Sequence, residues 1–249
     1  MRSTNPISLG PTYSEEVAFG EVSGNKFIQL QGISDGVLGA GETYDLWPLA
    51  EDKVWLSSAE AMTVVSTSAS DTAAGTGLQM IIIMGLDNNL VETQEVLALN
   101  GTVPVVASVA FKRINFVYAL SVGTGGYNAG TVTLTSNITA STQAVMPIGY
   151  NRSMQTHYTL PANSDALAMQ LTVSTGRNDE VIARAQVRDA ATAGPFISFI
   201  PLQIYQTSTV AEELDIYIAP GSDVVYKIKA TTNAPKVALY LSLIQRIIS

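Results

Sequence analysis

One histidine, His157, and no cysteine occur in this chain of 249 residues. Nucleophilic catalysis of the Ser-His-Asp kind needs a base to activate the hydroxyl, and His157 is the only imidazole that can serve. It lies in Met154-Gln-Thr-His-Tyr-Thr159, which reads as a strand interior, and no nucleophile-elbow motif accompanies it. A structural histidine is expected. A histidine zinc site has no partners, and thiolate zinc sites, disulfides and cysteine nucleophiles are excluded together. Two carboxyl groups about 5 to 9 Å apart in one cleft would support glycoside cleavage. The candidate pairs are Glu15-Glu16, Asp179-Glu180, Glu212-Glu213 and Glu92 with Glu95. Neighbours along a strand point to opposite faces, so the adjacent pairs are poorly arranged for this. Asp179-Glu180 follows Gly176-Arg-Asn and reads as a turn. Asp87-Asn88-Asn89 offers oxygen ligands without the spacing of a calcium loop.

The glycine-rich stretch Gly123 to Gly130 invites a phosphate-binding reading. Such loops work by opening a helix whose first amides meet the phosphate. Here Thr131-Val-Thr-Leu-Thr135 follows, which is a strand, and Gly75-Thr-Gly77 also runs into one. Both are expected to be hairpin connections. No catalytic, metal or cofactor residue is expected, and no enzymatic activity.

The elements that would hold these residues read as short strands. From Leu160 to Ile248 the chain alternates with a period of two, in Leu167-Met169-Leu171-Val173, Leu214-Ile216-Ile218, Val224-Tyr226-Ile228 and Val237-Leu239-Leu241-Leu243. Pro161-Ala-Asn-Ser-Asp165 and Pro220-Gly-Ser-Asp223 supply similar turns before two of them. Upstream, Tyr44 to Pro48 reads as the first strand, Leu49 to Ala61 as one short helix, and Trp47 and Trp55 as core anchors. Leu78 to Gly85 is a continuous apolar run that suggests a strand buried on both faces. Asn100-Gly101 is a hairpin signal. About a dozen strands and at most one short helix give an all-β, antiparallel sandwich.

Residues 1 to 42, rich in glycine and proline, read as an extended N-terminal arm with at most one short strand. Residues 43 to 249 would form the sandwich, with a two-lobed arrangement possible near Ser136 to Ser141. Only 14% of residues are charged and 47% are hydrophobic. Either a surface that meets other protein or one rich in Ser and Thr gives this composition. With net charge -8 and scattered basic residues, no nucleic-acid partner is expected. The most apolar window, Met80 to Met84, is too short to span a bilayer, so no membrane partner is expected. The N-terminus lacks a signal-peptide core, so the sequons at Asn100, Asn137 and Asn151 read as turn and strand-end residues.

Val65-Ser-Thr-Ser-Ala-Ser-Asp-Thr-Ala-Ala-Gly-Thr-Gly77, Gly85-Leu86-Asp87, Leu99-Asn-Gly-Thr102, Lys112-Arg-Ile-Asn115, Asn128-Ala-Gly-Thr131, Tyr158-Thr-Leu-Pro161 and Ala219-Pro-Gly-Ser-Asp223 form a series over about residues 43 to 230. It resembles virion structural proteins of tailed bacteriophages, especially marine and cyanobacterial ones. The motifs are turns and strand edges and carry no chemistry. The resemblance implies a non-enzymatic, jelly-roll-like β-sandwich that decorates the capsid, with the major capsid protein and its own copies as partners. It implies a homotrimer, assembled into the virion in the host cytoplasm. On that reading the arm would contact shell or neighbouring subunits through Ile7, Leu9, Tyr13, Phe19, Phe27, Ile28 and Leu30. A tail or fibre component and a secreted carbohydrate-binding module share the β-rich composition, although the latter should carry a signal peptide.

Overall fold

The computed structural model describes residues 13–35, 39–176, 180–205, 209–231 and 236–248. Ile7, Leu9 and Asp179 lie outside them. In chain order the elements are α1 (Tyr13–Ala18), β1 (Asn25–Asp35), β2 (Thr43–Asp45), β3 (Glu60–Ser66), β4 (Leu78–Leu86), β5 (Glu92–Ala98), β6 (Val105–Phe111), β7 (Arg113–Val122), β8 (Val132–Ser136), β9 (Thr142–Met146), β10 (Tyr158–Thr159), β11 (Ser164–Thr175), β12 (Glu180–Asp189), β13 (Ile197–Tyr205), β14 (Thr209–Ile218), β15 (Ser222–Ala230) and β16 (Lys236–Ile247). The described strands pair antiparallel throughout, and α1 is a single short helix, so the chain is all-β.

Four sheets bury their apolar faces in two separate cores. In the first sandwich, β6-β3-β8-β9 faces β5-β4-β7, and Met62, Val64, Phe111 and Leu134 meet Leu78, Ile81, Ile83 and Val117. In the second, β1-β16-β11-β14 faces β10-β15-β12-β13, with β2 also on β15. Leu30, Leu171, Val173, Leu239, Leu241 and Leu243 there meet Val181, Val224, Tyr226 and Ile228. Alternation with a two-residue period builds both cores, because only one face of each sheet leaves water.

The second sandwich is discontinuous in sequence. β2 and β10 lie end to end along the same edge of β15, opposite Lys227 to Lys229 and Asp223 to Val224. The first sandwich is inserted between them, so one edge strand is completed by two pieces of chain. Thr156 closes the break: its amide and its hydroxyl both donate to the Leu46 carbonyl, and its Oγ1 accepts from the Tyr226 amide. Ser136 to Ser141 is the β8–β9 hairpin inside the first sandwich. Gly32 of β1 lies against this closure, where an added Cβ would fall 2.5 Å from Thr156 Cγ2 and 2.8 Å from the Leu46 carbonyl oxygen. A Gly32→Ala variant is therefore expected to lose about 1–3 kcal/mol by overpacking, measurable by urea denaturation.

Several expectations need correcting. No helix forms over Leu49 to Ala61. The Lys53 amide donates to Asp45, the Asp45 amide to Asp52, and Trp47 Nε1 to the Glu51 carbonyl, all of them local bonds. The Val54 and Leu56 carbonyls accept from Gln143 and Arg113 and the Ala59 amide donates to Asn88, so tertiary hydrogen bonds outbid local helix propensity. A β-bulge between Ala168 and Gln170 reverses the parity of β11. Ala166 and Ala168 enter the core beside Leu171 and Val173, while Leu167 and Met169 turn to the outer face. β4 is buried on one face only: Ile81 and Ile83 point inward and Met84 is exposed. The Asn100-Gly101 turn joins β5 to β6, which lie in different sheets, and so makes a corner in place of a hairpin. The glycine loops at 75–77 and 123–130 likewise carry the chain between sheets.

The segment expected to be an extended arm contains α1 and β1. β1 pairs with β16 along its full length, from Asn25 opposite Arg246 to Asp35 opposite Lys236.

Candidate functional site

Of the titratable residues singled out in the sequence, His157 lies at the joint between the sandwiches, where it joins Arg113, Arg188, Asp223, Asp45 and Lys53. β7 begins at Arg113, and β15 places Asp223 opposite it. Both are almost wholly buried, and Arg113 donates from Nε to Asp223 Oδ1 at 2.8 Å and from Nη2 to Oδ2 at 3.1 Å. Arg188 of β12 donates from Nε to Oδ2 at 3.0 Å, and the Thr159 hydroxyl donates to Oδ1 at 2.6 Å. Alongside, Asn115 and Thr159 exchange two hydrogen bonds of 2.9 Å. A smaller apolar contact, Leu86 and Leu90 with Ala190, reinforces the same seam.

Asp45, at the end of β2, anchors the second half of the joint. Its Oδ2 lies 2.9 Å from His157 Nε2 and accepts from the Lys53 amide at 2.9 Å, while Oδ1 is 3.0 Å from Lys227 Nζ. Trp47 meets the imidazole edge-on at 4.9 Å and Trp55 at 5.8 Å. Burial pushes the His157 pKa below its ordinary value, outweighing the neighbouring carboxylate. The neutral ring donates from Nε2 to Asp45, and Nδ1 has no hydrogen-bond partner among the described residues. His157, expected to be structural, holds Asp45 in the joint through its Nε2 contact.

Burial raises the Asp45 pKa, but the His157 hydrogen bond and the Lys227 ammonium more than offset this and bring it down to about 2. The stability this contributes is present above its ordinary 3.8 and is lost as pH falls through about 2. The His157 shift acts higher: below its ordinary 6.5 the unfolded chain takes up a proton that the folded chain resists. Thermal midpoints should therefore decline from about pH 6.5 downward, and a His157→Gln variant should flatten the upper part of that decline.

Lys53 is buried with its ammonium donating to the Gln143 carbonyl at 2.9 Å. Burial, then the Arg113 guanidinium, lowers its pKa from 10.5 to about 7. Between those values the unfolded chain binds a proton that the folded chain does not, so stability rises with pH across that window. Lys53→Met should abolish this rise and should cost no more than about 1 kcal/mol at pH 7, since a buried cation is exchanged for an apolar group. Denaturant titrations at pH 7 and 10 measure both effects.

Asp71, which the sequence reading passed over, is buried in the first sandwich. It accepts from the Ser66 hydroxyl and the amides of Leu78, Ala129 and Gly130, at 2.6 to 2.9 Å. It ties both glycine loops together. Its only sequence signal was a position in a turn-rich stretch.

Glu92 and Glu95 do not converge. Glu95 of β5 accepts from the Ser108 and Val109 amides of β6, joining two sheet edges, while Glu92 pairs with Lys26 across the sandwiches. Among the described residues no group of three or more His, Asp or Glu is placed to hold a metal ion. Of the arm residues, Tyr13 and Phe19 are exposed, Phe27 is 38% exposed, and Ile28 packs partly against the second core. Leu30 is fully buried in that core and is unavailable to any partner. Among the described residues no helix is long and apolar enough to cross a membrane.

No protein-family model matches the chain, and no curated protein matches it. Among solved structures, the infectious bursal disease virus Gx strain aligns at 8% identity over 90% of this chain and 76% of that one, with a TM-score of 0.24. The VP2 subviral particle of the same virus aligns at 7% identity over 90% and 77%, with a TM-score of 0.20. A putative secreted protein from Parabacteroides distasonis ATCC 8503 aligns at 10% identity over 92% and 91%, with a TM-score of 0.20. At identities and TM-scores this low, the alignments establish neither a shared fold nor a shared activity.

Proposed function

We propose that the chain is a non-enzymatic structural protein of a virion, a decoration protein that binds the major capsid protein and stabilises the head shell. The observation that carries this reading is the surface. Among the described residues nineteen large apolar side chains are exposed, on a chain of which only 14% is charged. Tyr127, Ile148 and Tyr150 stand on one tip of the first sandwich. Asn128 and Asn151 hold that tip rigid, each backbone amide donating to the other's side-chain oxygen. Preformed apolar tips of this kind suit docking against other protein. The buried ion pairs, by contrast, are consumed in holding the two sandwiches together.

The strand pairing supports a jelly roll in the second sandwich. With β2 and β10 counted as two halves of one strand, the eight strands pair first with last, second with seventh, third with sixth and fourth with fifth. That is the nested pairing of a jelly roll, a fold that capsid proteins share with lectins and cupins, so it supports the reading by analogy only. The turn motifs resembling tailed-phage virion proteins point the same way.

Quantifying the chain against the major capsid protein in purified particles tests this. Near-stoichiometric amounts are expected of a decoration protein, a few copies per particle would mean a tail or fibre role, and absence from particles would overturn the reading. In solution the homotrimer should scatter light at three times the chain mass of 26.4 kDa. A monomer mass would contradict it.

A further inference from the structure

We propose that Arg188, Trp55 and Phe196 form an oxyanion site at the mouth of the joint, for a carboxylate or a phosphate group. Asp223 is one carboxylate shared by two guanidinium groups. Arg113 is fully committed, with Nε and Nη2 on Asp223 and Nη1 on the carbonyls of Leu56 and Lys112. Arg188 spends only Nε, and its two Nη groups make no hydrogen bond among the described residues. Its guanidinium carbon lies 4.4 Å from the Phe196 ring and 5.1 Å from Trp55, and the two rings are 5.6 Å apart, so the three groups form a close triangle. The same indole has Arg113 at 5.1 Å and Lys53 at 5.7 Å.

Two permanently charged guanidinium groups thus crowd one ring and are answered by one carboxylate. The nearby acids Asp45 and Asp52 are already engaged by Lys227. This local positive excess stands out on a chain of net charge -8. The Arg188 side chain is 13% exposed, and Trp55 and Phe196 are half-buried, so the free edge of the fork opens to solvent beside two aromatic rings. A planar pair of N–H donors, flanked by aromatic rings, suits two-point capture of an oxyanion. The positive crowding makes occupancy favourable and disfavours a cation. The site stands independently of the virion reading.

Trp55 reports on the test directly, because the only other tryptophan, Trp47, is buried away from solvent. The full chain is titrated with sodium phosphate and separately with sodium acetate, against sodium chloride at matched ionic strength. A saturable change in tryptophan emission and a raised thermal midpoint are expected with at least one oxyanion. A response to acetate alone marks a carboxylate site, and a tighter response to phosphate marks a phosphate site. Arg188→Lys keeps the ion pair to Asp223 but lacks the fork, and should weaken binding at least about tenfold. The proposal fails if neither oxyanion moves the emission beyond chloride, or if Arg188→Lys titrates like the parent protein.

Discussion

Removing residues 1–42 should leave the second sandwich unable to fold. The deletion takes away β1, whose eleven residues hydrogen-bond along β16, and with it Leu30, which lies at the centre of that core. Loss of a buried leucine alone costs about 2–5 kcal/mol, and here the ladder and the cover of β16 go as well. Total stabilities of about 5–15 kcal/mol do not survive that. Removing only residues 1–24 takes away α1, whose one buried apolar side chain is Val17, and should cost no more than about 1–3 kcal/mol. Far-ultraviolet circular dichroism and urea titration of the two truncations separate the cases. If the longer truncation folds with parental stability, β1 is dispensable and the segment is a free arm after all.

Asp223→Ala should be the most damaging single substitution at the joint. It strips the carboxylate from Arg113, which is 3% exposed, and from Arg188 as well, and removes the acceptor of the Thr159 hydroxyl. Breaking a buried ion pair from one side costs about 3–5 kcal/mol, because the remaining charge stays buried and uncompensated. For a chain of this size that corresponds to a midpoint lowered by on the order of 10 °C. Because Arg113 belongs to the first sandwich and Asp223 to the second, the loss should also uncouple them, broadening or splitting the thermal transition. A loss below about 1 kcal/mol would mean that the pair is solvated in solution and contributes little.

Much of the architecture was legible in the residues. Period-two alternation marked Val224-Tyr226-Ile228 and Val237-Leu239-Leu241-Leu243, and all of these side chains are buried. The bulge in β11 was not legible, because parity depends on one extra residue that no composition signal flags. Asn100-Gly101 identified a turn correctly but not its partner strands, since a turn fixes local dihedrals and leaves the choice of sheet to the core. The interruption of one edge strand by an inserted sandwich left no trace in composition or linkers, as the joint is sealed by buried residues such as Leu46 and Thr156. For the joint, His157 was read as structural from its neighbours. Its pairing with Asp45 spans 112 residues, and that of Arg113 with Asp223 spans 110, separations at which sequence spacing carries no information. The short helix expected over Leu49 to Ala61 failed for the same reason, because its polar groups bond to partners fixed by the tertiary fold.

The buried ionisable groups of this protein weld its two sandwiches into one body. Differential scanning calorimetry of the full chain at pH 7 tests this most directly. A single transition is expected, with calorimetric and van't Hoff enthalpies in agreement, because the joint couples both cores. Two separable transitions, one for each sandwich, would contradict it.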